Sequence, residues 1–442
     1  MKIQLSDHFN YQKILRFTLP SIIMMIFTSI YGVVDGFFVS NFVGKTPFAA
    51  VNFIMPFLMI LGAVGFMFGT GGSALIAITM GTGDKERANR LFSMLVYVSI
   101  VCAVIIGAIG ILFIRPVAAW LGAEGVMLDN CVLYGRVILI ALPAFILQYE
   151  FQSFFVTAEK PQLGLAVTVA AGMTNIILDA LFVGLFRWGL VGAAAATAAS
   201  QAVGGVIPLL YFARPNTSLL RLTGAKFDGR ALLKTCTNGS SELMSNISMS
   251  VVGMLYNMQL MKYAGEDGVA AYGVLMYVNM IFLAAFIGYS VGMAPVVSYH
   301  YGAGNHEELR GLLKKSLVLI GICSLGMLAL AEGLARPLSM IFVGYDPQLL
   351  ELTLRGFFVY SFSFLFAGIA IYGSSFFTAL GNGLISALIS FLRTLVFQVA
   401  AVLIFPVIWG IDGIWFSIVA AEMMAAAVTT LFLVEKRKKY RY

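Results

Sequence analysis

The sequence predicts an all-α integral membrane protein of twelve transmembrane helices, built as two parallel six-helix repeats. Three observations predict this fold class: the composition, the length of the apolar stretches and an internal repeat. Of the 442 residues, 60% are hydrophobic and 11% are charged, and the mean hydropathy is +0.92. These values lie far from those of soluble proteins. A soluble core has no room for so much apolar surface.

The apolar stretches have the length of membrane-spanning helices. A helix needs about 20 mostly apolar residues to cross a bilayer, and each half of the chain offers six such stretches, separated by glycine, proline or charged residues. Such long continuous runs exclude a membrane β-barrel, whose strands alternate apolar and polar residues. The predicted spans are 17–43, 47–80, 91–114, 131–157, 162–186, 190–213, 232–262, 269–299, 315–335, 353–379, 383–408 and 411–434.

The two halves repeat each other with a constant shift of 221 residues. The shift predicts two domains, an N-terminal lobe of residues 1–221 with helices 1–6 and a C-terminal lobe of residues 222–442 with helices 7–12. Because six spans is an even number, both lobes enter the membrane in the same sense. Matching pairs include Gly32 and Gly253, Gly44 and Gly265, Arg115 and Arg336, Thr157 and Thr378, and Trp188 and Trp409.

Lysine and arginine are distributed unevenly between the two sides of the predicted membrane. Twenty lie on the side of the termini, seven lie on the opposite side, and Arg393 lies deep within a span. This bias predicts a multi-pass protein of the cell membrane with both termini in the cytoplasm. The net charge of +7 therefore reflects topology, and we expect no nucleic-acid partner. We expect a monomer surrounded by membrane lipids.

Four intramembrane polar residues occur in the first half only. Their equivalents in the second half are aromatic or aliphatic, so the polar side chains are not required by the shared architecture. A carboxylate at bilayer depth costs several kcal/mol unless it is protonated, paired or bound to a cation, and such residues are functional candidates. The predicted cation-binding and coupling residues are Asp35, Asn175, Asp179 and Thr197, which correspond to Tyr256, Val396, Ala400 and Ile418.

Two coupling ions are compatible with these residues. If Asp35 and Asp179 converge, their mutual repulsion in a low-dielectric setting favours proton uptake near neutral pH. The same oxygens could instead bind sodium, with Asn175 and Thr197 completing the ligand set. No other metal site is predicted. A purely structural alternative also exists, in which the two aspartates form hydrogen bonds between helices.

At these positions the chain resembles the multidrug and toxic-compound extrusion (MATE) family, and most closely its Gram-positive-type multidrug exporters. The resemblance rests on YGVVD at 31–35, AAV at 49–51, NIILD at 175–179 and GLVGAAAAT at 189–197, and it covers essentially the whole chain. It implies two lobes arranged in a V and a cation site in the first lobe. Span 10 lacks the acid that some members use for a second site.

The resemblance implies a cation-coupled antiporter that exports amphipathic, cationic organic compounds by alternating access. Protons or sodium ions would be the coupling ion, and no enzyme activity or cofactor is expected. A flippase for a lipid-linked saccharide is the alternative, because related proteins share the fold. A membrane-embedded hydrolase would need a catalytic motif within a span, and no histidine lies deep in one. An ion channel is disfavoured because no filter-like loop recurs.

Further polar residues within the spans are assigned to a substrate cavity or to charge pairing. We predict that Arg393 pairs with an acid such as Glu422, so that neither charge is isolated. Two alternatives remain open: Glu242 could be the partner of Arg393, and Glu150 could be an interfacial group. The predicted cavity residues are Tyr31, Gln148, Glu150 and Glu242.

Overall fold

The structure is a computed structural model that describes residues 2–442. Within these residues, ten helices are long and apolar enough to cross a membrane, and one bent pair of helices forms an eleventh span. Its α-helices are α1 (Tyr11–Phe38), α2 (Lys45–Gly81), α3 (Lys85–Trp120), α4 (Gly125–Ile140), α5 (Leu142–Thr157), α6 (Pro161–Asp179), α7 (Leu190–Ala213), α8 (Gly229–Gly302), α9 (His306–Val343), α10 (Pro347–Tyr360), α11 (Phe364–Ala379), α12 (Gly383–Phe391), α13 (Phe397–Trp409) and α14 (Ile411–Tyr440). Three π-helical turns are Val39–Val43, Ala180–Leu185 and Leu392–Val396, and a 3-10 turn is Ser361–Ser363.

Helix α8 accounts for two spans. Its 74 residues would extend for about 110 Å at 1.5 Å per residue, whereas the bilayer core is about 30 Å thick. Gly265 breaks the helix with φ 64° and ψ −150°, a conformation that is open to glycine and strained for other residues. The break lies between the predicted spans 232–262 and 269–299. With α8 divided there, the twelve predicted spans are all present.

The fourth predicted span differs from a single straight helix. Residues 131–157 fall on α4 and α5, which are bent by 59° relative to each other. The bend lies at Ala141, and Pro143 occupies the first turn of α5. Proline has no backbone N–H and favours the start of a helix over its interior, so the span divides where the sequence reaches this residue.

Backbone geometry repeats between the halves at the 221-residue shift. Gly189, which precedes α7, has φ 68° and ψ −142°, and Gly410, which precedes α14, has φ 65° and ψ −136°. The spans that follow these two glycines occupy equivalent places in the two halves. The structure is therefore consistent with two copies of one six-span unit.

The halves pack against each other at the end of the bundle that carries both termini. A methyl group at Gly71 would overlap the carbonyl oxygen of Thr235, and one at Gly239 would overlap the backbone of Met67. We call these close backbone contacts, together with those of Gly81 and Gly302, the seal. Here one apolar cluster includes side chains from both halves, among them Ile14, Phe17, Leu75 and Met80 with Met293, Val296 and Val297.

The opposite end of the first half has a separate apolar cluster. That cluster contains side chains from α2, α4 and α7 and none from the second half. Gly32 and its equivalent Gly253 both border open space, since a methyl group on either would meet no atom within 4 Å. The halves therefore meet at the seal and separate toward the other end, which leaves a cleft between the far end of α1 and the first span of α8, the part before Gly265.

The N-terminal segment connects the two halves beside the seal. The backbone N–H of Leu5 donates to Oε1 of Glu159 in the first half (2.7 Å), and that of Phe9 donates to Oε1 of Glu308 in the second half (2.8 Å). Burial raises the pKa of the Glu159 carboxyl. Leu5 and Phe9 are fully buried, so the segment is anchored by apolar packing as well as by hydrogen bonds.

Glu308→Ala should loosen this segment. The carboxylate accepts from the Phe9 N–H and lies 2.6 Å from Nδ1 of His8, and losing hydrogen bonds to a charged acceptor costs about 2–3 kcal/mol. We expect faster proteolytic cleavage within residues 2–10 of the purified protein. Glu307→Ala is the matched control, because Glu307 is exposed on the same helical turn. Equal cleavage of both variants would contradict the docking role of Glu308.

Candidate functional site

The predicted cation-site residues come from three helices of the first half. Asp35 lies in the last turn of α1. Asn175 and Asp179 lie near the end of α6, four residues apart and therefore on one face. Thr197 lies in α7. Because α6 packs against both α1 and α7, residues that are far apart in the sequence come together.

Asn175 lies between the two carboxylates. With its amide nitrogen directed at them, it donates to Oδ1 of Asp35 at 3.3 Å and to Oδ2 of Asp179 at 2.9 Å. The side chain of Asp35 also adjoins those of Asp179 and Thr197. The Thr197 hydroxyl lies 3.1 Å from the carbonyl oxygen of Ala193. One amide and one hydroxyl thus accompany two carboxylates.

The site is closed around Asp179 and more open at Asp35. Asp179 is 0% exposed and Asn175 is 4% exposed, whereas Asp35 is half-buried. Oδ1 of Asp179 has no hydrogen-bond partner among residues 2–442. An unpaired buried carboxylate oxygen is costly. The arrangement can therefore accept a proton or a small cation, which would remove this cost.

A π-helical turn follows each of these carboxylates. Val39–Val43 begins four residues after Asp35, and Ala180–Leu185 begins immediately after Asp179. The equivalent turns of the second half are regular α-helix. Single π-helical turns occur frequently at functional sites. The π-helical turns after Asp35 and Asp179 thus coincide with the paired carboxylates and have no counterpart at the equivalent positions of the second half, whose own π-helical turn, Leu392–Val396, carries Arg393.

Tyr134 is a site residue that the sequence analysis missed. It lies in α4, is 1% exposed, and adjoins Thr197 beside Asp35 and Asp179. Its hydroxyl has no hydrogen-bond partner among the described residues. Its equivalent in the second half is the charged residue Arg355, so the contrast between a polar residue and an apolar equivalent does not single out Tyr134.

The predicted cavity residues of the first half lie on the side of the carboxylate site that is nearer the seal. The hydroxyl of Tyr31 adjoins the side chain of Gln148, which is 4% exposed and packs against Gly204. Glu150 is fully buried beside Ser99, and neither of its carboxylate oxygens has a hydrogen-bond partner within residues 2–442. In this conformation Glu150 has no surface on the cleft.

In the second half, Arg393 and Glu422 form a bidentate ion pair. Nε of Arg393 lies 3.0 Å from Oε2 of Glu422, and Nη2 lies 3.0 Å from Oε1. Both side chains are largely buried. Arg393 lies in the π-helical turn Leu392–Val396. Glu242 forms no ion pair within the described residues and is half-buried on α8, so the structure does not pair it with Arg393.

Twelve spans in two similar halves, a cleft between them and a buried polar site in one half define a multi-pass membrane transporter rather than an enzyme. The sequence profile of the MatE family matches residues 20–181 and again 243–404. The chain therefore belongs to the MatE family, the multidrug and toxic-compound extrusion transporters. The two matches fall at equivalent places in the two halves.

Similar curated proteins include the Multidrug export protein MepA of Staphylococcus haemolyticus (strain JCSC1435), which is 25% identical over 435 residues that cover 97% of this chain and 94% of that protein. The protein of the same name from Staphylococcus aureus (strain MRSA252) is 23% identical over 430 residues, covering 96% and 93%. The similarity in both cases extends over nearly the full length of each chain.

Solved structures show the same fold. The outward-facing conformation of a multidrug resistance MATE family transporter of the MOP superfamily has a TM-score of 0.93 and 24% identity, covering 100% of this chain and 98% of that one. A MOP superfamily transporter from Pyrococcus furiosus, described as having a binding pocket of reverse polarity that suggests a different function, has a TM-score of 0.91 and 24% identity over 98% of each chain. The polarity of the pocket is thus a separate question from the fold.

Proposed function

We propose that the chain exports amphipathic, cationic organic compounds from the cell by alternating access, in exchange for protons or sodium ions. One observation carries the proposal: two carboxylates, Asp35 and Asp179, meet in the first half with a buried oxygen that lacks a partner. A group that needs a cation for its stability can couple ion binding to conformation. The names of the staphylococcal relatives support export of drugs as the resulting activity.

Ion binding at this site would depend on Asp35, Asn175, Asp179 and Thr197. A proton would neutralise one carboxylate and let the other accept its hydrogen bond. A sodium ion would need oxygen ligands, and Asn175 would then turn its carbonyl oxygen toward the site. Tyr134 adds a third neutral polar group. Each ion removes one negative charge from the interior of the first lobe, which is the change that coupling requires.

The direction of transport follows from the proposed orientation. If both termini are cytoplasmic, the seal closes the cytoplasmic end and the cleft opens to the outside. Export would then require a second conformation in which the seal opens and the outer end of α1 approaches the part of α8 next to Gly265. We expect the lobes to move as units, and the first lobe has an apolar cluster of its own away from the seal.

The charge of the interior favours cationic cargo. Five acids lie deep in the spans, and the one deep base, Arg393, is paired with Glu422. The unpaired charge near the cleft is therefore acidic, with Glu242 on the second lobe and Asp35 on the first. A lipid-linked saccharide with its phosphates, the cargo of the alternative flippase function, would be repelled by these acids.

Reconstituted protein tests this function. Uptake of a fluorescent organic cation into proteoliposomes should require a gradient of pH or of sodium, imposed separately, and the effective gradient identifies the coupling ion. Transport that proceeds equally under both gradients and without either would contradict ion coupling.

The orientation makes an independent prediction. In a background without the four native cysteines, Lys226→Cys should react with a membrane-impermeant reagent only from the cytoplasmic side, because the loop between the lobes is rich in lysine and arginine. Lys45→Cys, at the start of α2, should react only from outside. Both positions are exposed. The reverse pattern would invert the proposed direction of transport.

A further inference from the structure

One face of α8 carries residues that contact the first half near the start of the helix and polar residues farther along it. The positions are spaced by 4, 3, 4, 4, 3 and 4 residues, which keeps them on a single side of an α-helix. They are Thr235, Gly239, Glu242, Asn246, Ser250, Gly253 and Asn257.

The lower part of this face points at the opposite lobe. Thr235 and Gly239 belong to the seal, where they meet Gly71 and Met67 of α2. The same face at Gly253 borders open space, because a methyl group there would meet nothing within 4 Å. The polar side chains between and beyond these points therefore lie along the second-lobe wall of the cleft. From Glu242 to Asn257 this wall extends for about 22 Å.

The side chains of this wall retain hydrogen-bonding capacity. Nδ2 of Asn246 donates to the carbonyl oxygen of Glu242 at 2.8 Å, which leaves Oδ1 free to accept. The Ser250 hydroxyl donates to the carbonyl oxygen of Asn246 at 3.3 Å. Asn257 is exposed and makes no side-chain hydrogen bond within residues 2–442. A polar row within a membrane span is costly if it faces lipid and is expected where it lines a watery path.

The first lobe repeats only the serine of this row, since Ser250 corresponds to Ser29. The equivalents of Glu242, Asn246 and Asn257 are a serine, a methionine and a glycine, at positions 21, 25 and 36. Neither the repeated architecture nor the cation site therefore accounts for Glu242, Asn246 and Asn257.

We propose that Glu242, Asn246, Ser250 and Asn257 form a cargo-recognition surface that selects organic cations bearing hydrogen-bonding groups over wholly apolar cations. This inference rests on the proposed export function. Glu242, next to the seal, attracts the positive charge, and the neutral side chains above it bind hydroxyl, amide or amine groups of the cargo. A cation without such groups would be held by charge and apolar contacts alone.

Binding of two probes to the purified protein tests this surface. One is an aromatic organic cation with hydroxyl and amide substituents, and the other is tetraphenylphosphonium. Asn246→Leu and Asn257→Leu should each weaken binding of the first probe about tenfold, the effect of one lost hydrogen bond, and leave tetraphenylphosphonium within about twofold. Ser250→Ala, which removes only a hydroxyl, should act in the same direction with a smaller effect of about threefold.

Met258→Leu is the matched control for Asn257→Leu. It introduces the same side chain at the same depth on another face of α8, where Met258 is 68% exposed. Neither probe should bind differently to this variant. If the Asn and Ser variants weaken both probes equally, or neither, the recognition surface is refuted. Because binding is measured without an ion gradient, a wild type that proves independent of ions would refute the coupling proposal and leave this result intact.

Discussion

Asp179→Asn should leave a folded protein that still binds cargo but no longer accumulates it under an ion gradient. The substitution keeps the shape of the side chain and removes the charge. A neutral amide can neither release a proton nor balance a bound cation. Asp179 is fully buried with one oxygen unpartnered, so the loss of its charge should also stabilise the resting protein. We expect gradient-driven uptake into proteoliposomes to fall to the level of empty liposomes.

The internal repeat provides the control for this experiment. Ala400→Asn places the same side chain at the equivalent position of the second lobe, and we expect a packing penalty with coupling intact. Asp35→Asn should behave like Asp179→Asn. Combining both aspartate changes should add little, because residues of one site act as a unit. Full gradient-driven uptake by the Asp179 variant would move the search for the coupling residue to Glu242.

Arg393→Met should be among the most destabilising single changes in the second lobe. Removing one partner of a buried ion pair leaves the other charge uncompensated, at a cost of about 3–5 kcal/mol. Glu422 is 5% exposed, and no second base lies deep in the spans. We expect a much lower yield of folded protein and a lower thermal transition in detergent.

The double variant Arg393→Met with Glu422→Met separates pairing from function. Replacing both charges by apolar side chains of similar volume is often neutral or stabilising. The double variant should therefore recover most of the lost stability, and its transport should keep the ion dependence of the wild type. Recovery of stability with loss of ion dependence would show that the second lobe takes part in coupling.

The fold was predictable because the membrane imposes strong rules on sequence. Each span must be long and apolar, and the constant 221-residue shift revealed the two six-span halves. Local departures were less visible. The bend before Pro143 and the π-helical turns after Asp35 and Asp179 depend on how neighbouring helices pack. The apolar pattern of the sequence does not predict that packing.

The candidate site was predictable to the extent that the halves differ. Asp35 and Asp179 stood out because a carboxylate is costly in a span and because their equivalents are a tyrosine and an alanine. The distances in the structure are needed to show that Arg393 pairs with Glu422 and not with Glu242. The spacing of the polar residues of α8 in the sequence predicts that they share one face of a helix. The contacts of Thr235 and Gly239 at the seal show that this face is directed toward the first lobe.

The central claim is that ion binding at the carboxylate site of the first lobe is coupled to movement of cargo in the opposite direction. The most direct test loads wild-type proteoliposomes with cargo, imposes no ion gradient and records ion movement across the membrane. The account predicts that cargo leaving the vesicles drives protons or sodium ions in the opposite direction, and that Asp179→Asn abolishes this ion flux. Cargo movement by the wild type without any accompanying ion flux would contradict the account.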